Sequence, residues 1–205
     1  MNRVFLISPA NCNGVRARRL LKQNSRSLLA QRLRSDSGVP IGEVFTFLSS
    51  LYFRGKLAYA LAFARPPEQT IGVAVITPTI GLISCEAPIG LTHLRDFMRV
   101  PIKVKNRRYR TSLCRAAEAL ADTIGPACEI VLLGSIASDK YLSLLQPIFG
   151  ERLHVPAQFI GLGDMSRGGL LLRCVREQRE LDYIAASAIP ARIRRTRIVA
   201  DDTLD

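Results

Sequence analysis

Tryptophan is absent from this chain of 205 residues, and no acidic residue precedes Asp36. No segment reaches the roughly 18 consecutive apolar residues that a membrane-spanning helix requires. The longest apolar run, residues 71–83, is interrupted by Pro78. The basic residues do not flank an apolar helix face that carries tryptophan, which is the pattern typical of helices lying on a membrane surface. These absences predict a protein that has no membrane partner.

Cysteine and histidine are too few and too scattered to suggest a metal site. The two histidines are isolated, and none of the five cysteines lies in a CxxC or similar spacing. The number of cysteines is odd, as expected for thiols that are not all paired in disulfides. We therefore expect reduced thiols in a cytoplasmic protein that holds no metal and no cofactor.

Positive charge is in large excess. Lysine and arginine number 29 against 17 aspartates and glutamates, so the formal charge is +12. The basic residues are nearly all arginine, whose guanidinium forms two parallel hydrogen bonds with a phosphate. Most of them fall in three blocks: before Asp36, between Asp96 and Glu118, and near the C-terminus. The expected partner is nucleic acid, in particular double-stranded DNA, and the sequence leaves the oligomeric state open.

Strand-like and helix-like segments alternate along the chain. This alternation predicts an α/β fold with a mostly parallel sheet and helices on both faces. Short apolar runs predict strands at residues 4–7, 71–76, 129–133, 159–162, 170–175 and 180–184. Longer amphipathic segments predict helices at residues 15–33, 45–64 and 111–124, and a fourth between 134 and 145.

The length of the chain fits one ordinary domain. We expect this single α/β domain to cover residues 1–190. Residues 191–205 form a C-terminal segment that is basic at first and then acidic. We expect this segment to be a flexible tail.

The first candidate site is the segment 8–16, which follows the first predicted strand. Loops at the carboxyl ends of strands hold the ligand in open α/β sheets. The amide side chains of Asn11 and Asn13 can each read a base edge or orient a water molecule, and Arg16 can contact a phosphate. The alternative is a plain helix start that Asn13 caps.

Three further segments, residues 49–59, 103–110 and 131–141, mix basic side chains with aromatic or hydroxyl groups. Aromatic rings stack on bases while basic groups contact the phosphates between them. The nucleic-acid contacts predicted from these segments are Tyr52, Arg54, Lys56, Lys105, Arg107, Arg108, Tyr109, Arg110, Ser135 and Lys140. The alternatives are aromatic packing in the core, a solvated loop and ordinary strand-to-helix packing.

The last candidate is the segment 161–169, in which four glycines surround Asp164, Ser166 and Arg167. We expect a loop between two strands whose backbone lies close to a ligand. Asp164 is the best-placed carboxylate in the chain for general-base work or for stabilising a cation. Arg167 and Ser166 are expected to hold a phosphate. The alternative is a tight turn with an internal Asp–Arg pair.

Several of these segments resemble the YaaA-like peroxide-stress proteins. Residues 6–10 read Leu-Ile-Ser-Pro-Ala, and residues 51–55, 76–77 and 81–82 follow in that family's order. Asn11 stands where that family has lysine. Members of the family are DNA-binding proteins, so the resemblance implies that this chain binds DNA.

A second resemblance is to the uracil-DNA glycosylase superfamily. Residues 130–145 look like its penultimate strand and helix, and Asn11 or Asn13 best matches the catalytic residue after its first strand. The histidine-containing motif of that superfamily is missing, and residues 163–167 occupy roughly its place. This resemblance implies an α/β domain that holds DNA.

Together these observations predict a DNA glycosylase, an enzyme that flips out a modified or damaged base and cleaves its N-glycosidic bond. Asp164 would stabilise the developing sugar cation or activate water. Asn11 or Asn13 would read the base, and Tyr52 or Tyr109 would stack on it. The main alternative is a non-enzymatic DNA- or RNA-binding protein that acts in stress protection. A third class is a small-molecule nucleotide hydrolase or transferase.

Overall fold

The structure is a computed structural model that describes residues 1–136 and 139–189, and it has the predicted α/β architecture. The central sheet contains, in spatial order, β4 (Gly81–Ser84), β3 (Val73–Thr77), β1 (Arg3–Ile7), β6 (Glu129–Leu133), β7 (Leu153–Pro156) and β8 (Tyr183–Ala185). The four inner strands are parallel, whereas β4 and β8 are antiparallel edge strands. A separate antiparallel pair joins β2 (Val39–Pro40) and β5 (Pro88–Ile89). The predicted tail, residues 191–205, lies outside the described residues.

The described residues also form eight α-helices. In chain order they are α1 (Val15–Leu21), α2 (Leu28–Arg32), α3 (Ile41–Leu48), α4 (Ser50–Phe63), α5 (Leu91–Arg99), α6 (Arg107–Ile124), α7 (Asp139–Phe149) and α8 (Asp164–Arg176). None of these helices combines the length and apolar character that crossing a bilayer would need.

The helices cover both faces of the sheet because the chain changes direction at its centre. Connections between parallel strands are right-handed. The chain passes from β1 to β3 in one direction and from β3 to β6 in the other, so the connecting helices lie on opposite faces. Helices α4 and α8 pack against each other on one face, and α6 packs with α7 on the other. This reversal leaves β1 and β6 side by side at the middle of the sheet.

The innermost strands form the centre of the core. Residues 4–7 of β1 and 130–133 of β6 are fully buried. A strand covered on both faces has no solvent side, so a continuous apolar run is favoured over alternation. The predicted strands at 4–7 and 129–133 are thereby confirmed. The strand predicted at 71–76 is β3, which begins two residues later and ends one residue later than predicted.

The single helix predicted at residues 15–33 is wrong, because the chain breaks between α1 and α2. Ser27 caps the second helix, and its Oγ accepts a hydrogen bond from the backbone N–H of Ala30 at 3.2 Å. The guanidinium of Arg34 donates to the carbonyl oxygens of Lys22 and Ser25, which fixes the intervening turn. Side-chain bonds to the backbone therefore override the helical periodicity here.

The glycine-rich loop and the flanking strands predicted at 159–162 and 170–175 are also wrong. Residues 164–176 form α8, and Leu171 and Cys174 are buried at helical spacing. The glycines serve a close helix crossing instead of a loop. A Cβ built on Gly168 would lie 3.0 Å from the Cα of Tyr52, and one on Gly55 would lie 2.7 Å from the carbonyl oxygen of Gly168. Glycine at both positions lets the backbones of α4 and α8 touch.

Other boundaries differ from the prediction by a few residues. The helix expected from 111 begins at Arg107, because Asn106 caps it and accepts a hydrogen bond from the backbone N–H of Tyr109 at 3.1 Å. The helical region expected at 45–64 is divided into α3 and α4 at Ser49. The last strand, expected at 180–184, is β8.

We predict that Gly55→Ala lowers the free energy of unfolding by about 1–3 kcal/mol, since the new methyl group forces two helix backbones apart. Gly169→Ala is the matched control, because a Cβ there meets no described atom within 4 Å. It should stabilise α8 by about 0.5–1 kcal/mol. Urea unfolding measures both effects, and a Gly55→Ala protein at least as stable as the wild type would contradict this packing.

Candidate functional site

A cavity of about 490 Å³ opens at the carboxyl ends of the central strands. The chain leaves β1 towards β3 and leaves β6 towards β7, so the loops that follow β1 and β6 diverge there. Ligand crevices of open α/β sheets form at such a point. The lining residues are Ser8, Pro9, Ala10, Asn11, Cys12, Asn13, Ser49, Tyr52, Pro78, Phe97, Val100, Pro101, Ile102, Lys103, Ser135, Lys140, Tyr141 and Asp164.

The loop after β1 supplies two amide side chains to the cavity. The Oδ1 atom of Asn11 accepts a hydrogen bond from the backbone N–H of Asn13 at 2.8 Å, which is an Asx turn. Both asparagines are exposed and line the cavity. Because the turn uses Oδ1 of Asn11, its NH₂ group is the part that can donate to a ligand.

A buried lysine lies beneath this loop. Lys56 projects from α4 and is 1% exposed. Its Nζ donates to both the carbonyl oxygen and the Oγ of Ser8, each at 2.6 Å. The amine also lies 4.4 Å from the centre of the Tyr52 ring and 5.2 Å from that of Phe53. Lys56 therefore ties α4 to the first residue after β1, and Ser8 separates it from the cavity.

The environment of Lys56 favours its neutral form. Burial lowers the pKa of the amine from its ordinary 10.5 to about 7, since a charge is costly away from water. The negative charge of Asp164 raises the pKa of Lys56, whereas the positive charges of Lys140 and Arg167 lower it further. Neither hydrogen-bond partner on Ser8 is a carboxylate. The amine can therefore change its protonation state near neutral pH.

The start of α8 forms another wall of the cavity. The guanidinium of Arg167 donates to the carbonyl oxygen of Phe159 at 2.8 Å, and its Nη1 lies 3.5 Å from Oδ1 of Asp164. The Arg167 side chain is 7% exposed and that of Asp164 is 64% exposed. Burial raises the pKa of the nearby Tyr52 hydroxyl to about 12, so the phenol is neutral. Arg167 thus anchors a carboxylate that faces water and the cavity.

Two lysines line the cavity. Lys103 follows α5 and is exposed, whereas Lys140 on α7 is half-buried with its Nζ 5.5 Å from the centre of the Tyr141 ring. Phe97 is buried and contributes an apolar wall. The cavity therefore combines an apolar interior with cationic groups, as an anionic organic ligand would require.

The structure brings together six of the residues predicted for the site. These six cavity-lining residues are Asn11, Asn13, Tyr52, Ser135, Lys140 and Asp164. The predicted residues that are exposed but do not line the cavity are Arg16, Arg54, Lys105, Arg107, Arg108, Arg110 and Ser166. Two of the arginines have protein partners: Arg16 donates to the carbonyl oxygen of Phe47, and Arg108 lies 3.6 Å from Asp96.

Three predicted nucleic-acid contacts are wrong because the side chains are buried. Tyr109 is fully buried, and its hydroxyl donates to the carbonyl oxygen of Lys140, so it cannot stack on a base. Lys56 and Arg167 are 1% and 6% exposed; Nζ of Lys56 donates to Ser8, and Nη2 of Arg167 donates to the carbonyl oxygen of Phe159. Both cations lie at a helix crossing, and no local sequence pattern indicates that they are buried.

Some cavity residues were not among the predicted site residues. Ser8 directly follows a buried strand that ends at the ligand edge of the sheet, which is a usable sequence signal. Tyr141 lies one helical residue beyond the predicted Lys140. The segment that follows α5, residues 100–102, carries no such signal, because its place in the cavity depends on tertiary packing alone.

Within residues 1–136 and 139–189, no three side chains of histidine, cysteine, aspartate or glutamate cluster as metal ligands would. No model of a known protein family matches the chain, and neither a curated protein nor a solved structure matches it. The site is therefore interpreted from its own residues, and the two resemblances seen in the sequence stay predictions.

The pKa of Lys56 predicts a pH-dependent stability. Between pH 7 and about 10 the unfolded chain carries a proton on this amine that the folded protein does not, so the folded state gains stability as pH rises. The free energy of unfolding of the wild type minus that of Lys56→Met should rise by roughly 1 kcal/mol per pH unit across this range. Urea unfolding at pH 6.5 to 9.5 measures the difference, and parallel curves for the two proteins would refute the shift.

Proposed function

We propose that this protein binds DNA and hydrolyses the N-glycosidic bond of a modified or damaged base that is flipped out of the duplex. The observation that carries the proposal is the cavity between the β1 and β6 loops. Two amides, a carboxylate and an aromatic ring converge on it, and two lysines stand at its side. Base excision uses these groups: amides to read a base edge, an aromatic to stack, and an acid to assist hydrolysis.

The dimensions of the cavity suit one nucleotide and exclude a duplex. At about 490 Å³ it falls in the range of pockets that enclose a small organic molecule. A base pair in its stack cannot enter such a space, so the proposal requires extrusion of the target nucleotide. The ring of Tyr52 and the buried Phe97 would contact the faces of the extruded base.

In the proposed reaction Asp164 assists the hydrolysis, and the two asparagines recognise the base. In hydrolysis, a water oxygen bonds to the anomeric carbon, and the base leaves with the electron pair of the broken bond. The Asp164 carboxylate would stabilise the cationic sugar or accept the proton of the attacking water. Nη1 of Arg167 lies 3.5 Å from Oδ1 of this carboxylate and forms an ion pair with it. Asn11 and Asn13 would donate to and accept from the polar edge of the base.

The backbone of the DNA would follow the basic groups around the opening. Lys103 and Lys140 border the cavity, and Arg107 and Arg110 are exposed on the first turn of α6. Phosphate contacts of this kind supply affinity that falls steeply as salt rises. The proposal includes a cytoplasmic location, which is supported by the five cysteines, all unpaired in the structure.

One observation favours a second candidate function, a non-enzymatic nucleic-acid-binding protein of stress protection. The Asp164 side chain is 64% exposed and already has a cationic partner. Catalytic carboxylates are more often enclosed, where water does not weaken their field. In that case the same basic surface would bind DNA or RNA, and the cavity would hold a base without cleaving it.

Single-turnover reactions test the proposal. Protein in excess is mixed with labelled duplexes that each contain one altered base, such as uracil, hypoxanthine, an alkylated purine or 8-oxoguanine. Alkaline cleavage then reveals abasic sites. We expect turnover of at least one duplex by the wild type. The rate of Asp164→Asn should be lower by at least about 100-fold, since general acid–base catalysis contributes about 10²–10⁴-fold.

Asp122→Asn is the matched control. It makes the same charge change on the exposed surface near the far end of α6, and it should keep the wild-type rate. Binding of an undamaged duplex is measured in parallel at 50 and 200 mM salt. An unchanged rate in Asp164→Asn would exclude the assigned mechanism. Salt-sensitive binding with no product from any duplex would support the non-enzymatic function instead.

A further inference from the structure

We propose that Ser8 is a nucleophile whose hydroxyl is deprotonated by Lys56, and that the cavity accepts a small anionic ester or amide that acylates it. This activity goes beyond the glycosidase and does not depend on it. It is carried by the geometry of a serine that faces the cavity and a buried amine behind it. Serine–lysine pairs of this kind activate nucleophiles on unrelated folds.

The positions of the two residues satisfy the requirements of such a pair. Ser8 lines the cavity, and its Oγ is 2.6 Å from Nζ of Lys56, within the range that proton transfer needs. Ser8 is the first residue after β1, and its backbone N–H donates to the carbonyl oxygen of Leu133 at 3.1 Å. The nucleophile is thus fixed by the two central strands, and the base is fixed by the crossing of α4 and α8.

The neutral amine has a place for each of its hydrogens. One N–H donates to the carbonyl oxygen of Ser8 at 2.6 Å, and the other can face the Tyr52 ring, whose centre is 4.4 Å away. The lone pair then accepts the hydrogen of the Ser8 hydroxyl, which reverses the direction of the second hydrogen bond. No rearrangement of the backbone is required for Lys56 to act as the base.

The surrounding groups determine how much of the amine is neutral. Those that face the amine or the Ser8 hydroxyl are Tyr52 from α4, Lys140 and Tyr141 from α7, and Asp164 and Arg167 from α8. Burial is the largest effect and lowers the pKa of Lys56 to about 7. Burial also raises the pKa of both phenols, so neither tyrosine competes as the base.

The acylation step is balanced within the site. Oγ of Ser8 bonds to the acyl carbon, and its proton moves to Nζ, which becomes an ammonium. The bond from the acyl carbon to the leaving oxygen or nitrogen breaks, and the leaving group takes the electron pair together with the proton from Lys56. Water then attacks the acyl-serine and gives up a proton to Lys56, and Ser8 recovers its hydrogen as the acid departs.

The charge of the cavity indicates the class of substrate. Lys103 and Lys140 border it, and Asp164, which also lines it, is paired with Arg167. A carboxylate or phosphate on the substrate would meet the two lysines while its ester or amide carbon reaches Ser8. A volume of about 490 Å³ limits the substrate to a small molecule or to the end of a longer one.

A fluorophosphonate probe tests the nucleophile directly, without DNA. Oγ of Ser8 displaces fluoride from phosphorus, and the adduct is located by peptide mass spectrometry. We expect labelling at Ser8 whose rate rises with pH and levels off above a midpoint near 7, as Lys56 loses its proton. An absent adduct at Ser8, or labelling that has no midpoint between pH 6 and 8, would overturn the proposal.

Variants distinguish a Ser8 hydroxyl that Lys56 activates from one that reacts only because the probe can reach it. Ser8→Ala should lose the adduct, whereas Ser50→Ala, which removes an exposed hydroxyl that does not line the cavity, should keep it. Lys56→Arg keeps a donor but cannot act as a base, and it should lower the labelling rate about 100-fold or more. Retained labelling in a folded Lys56→Arg protein would refute the pair. If that variant does not fold, the pH profile of the wild type decides.

Two acyl esters test the substrate class. We expect the mono-4-nitrophenyl ester of terephthalic acid, whose carboxylate cannot reach its own ester carbon, to release nitrophenol faster than the neutral benzoate ester, and the difference should shrink in Lys103→Ala. Equal rates for the two esters would overturn the anionic class. A glycosidase activity without Ser8 labelling, or labelling without glycosidase activity, would show which of the two proposals fails.

Discussion

The amine of Lys56 is held in the protein interior by two oxygens of Ser8, each at 2.6 Å, and much of the structure follows from that contact. Among the described residues the amine has these two oxygen acceptors, neither of them a carboxylate, and such an amine is costly to bury unless its charge can be lost. Helix α4 must also approach the end of β1 closely for the side chain to reach. Glycine at positions 55 and 168 lets α8 pack directly on α4, since any side chain there would separate these two helices. The buried amine and the tight helix crossing are therefore parts of one arrangement.

The position of that contact in the sheet explains why it lies beside a cavity. The chain leaves β1 in one direction and β6 in the other, and right-handed connections place the helices on opposite faces. The loops that follow these strands must diverge, and the space between them is the cavity. The same topology brings Asn11 from one loop, Ser135 from the next and Asp164 from α8 to one place. Whatever its chemistry, the site is a consequence of strand order.

The sequence predicts the central part of this fold and only part of the site. Continuous apolar runs identify β1 and β6 because strands buried on both faces need no alternation. The glycines of residues 161–169 indicate close backbone contact, but the partner is another helix, and local sequence does not distinguish a partner helix from a ligand. Asn11 is predicted because it follows a strand, whereas Asp164 is predicted from a supposed glycine-rich loop and lines the cavity as the first residue of α8. Lys56 and Tyr109 are placed wrongly, since the depth of a side chain depends on elements far away in the chain.

Nuclear magnetic resonance measures the protonation of Lys56 at the amine itself. The chain has only five lysines, so selective ¹³C,¹⁵N-lysine labelling gives few signals, and Lys56→Arg assigns the one from position 56. The arrangement predicts that the Cε and Nζ shifts of Lys56 titrate with a midpoint near pH 7. A Lys56 signal without a midpoint between pH 6 and 8 would contradict a buried amine whose pKa is lowered.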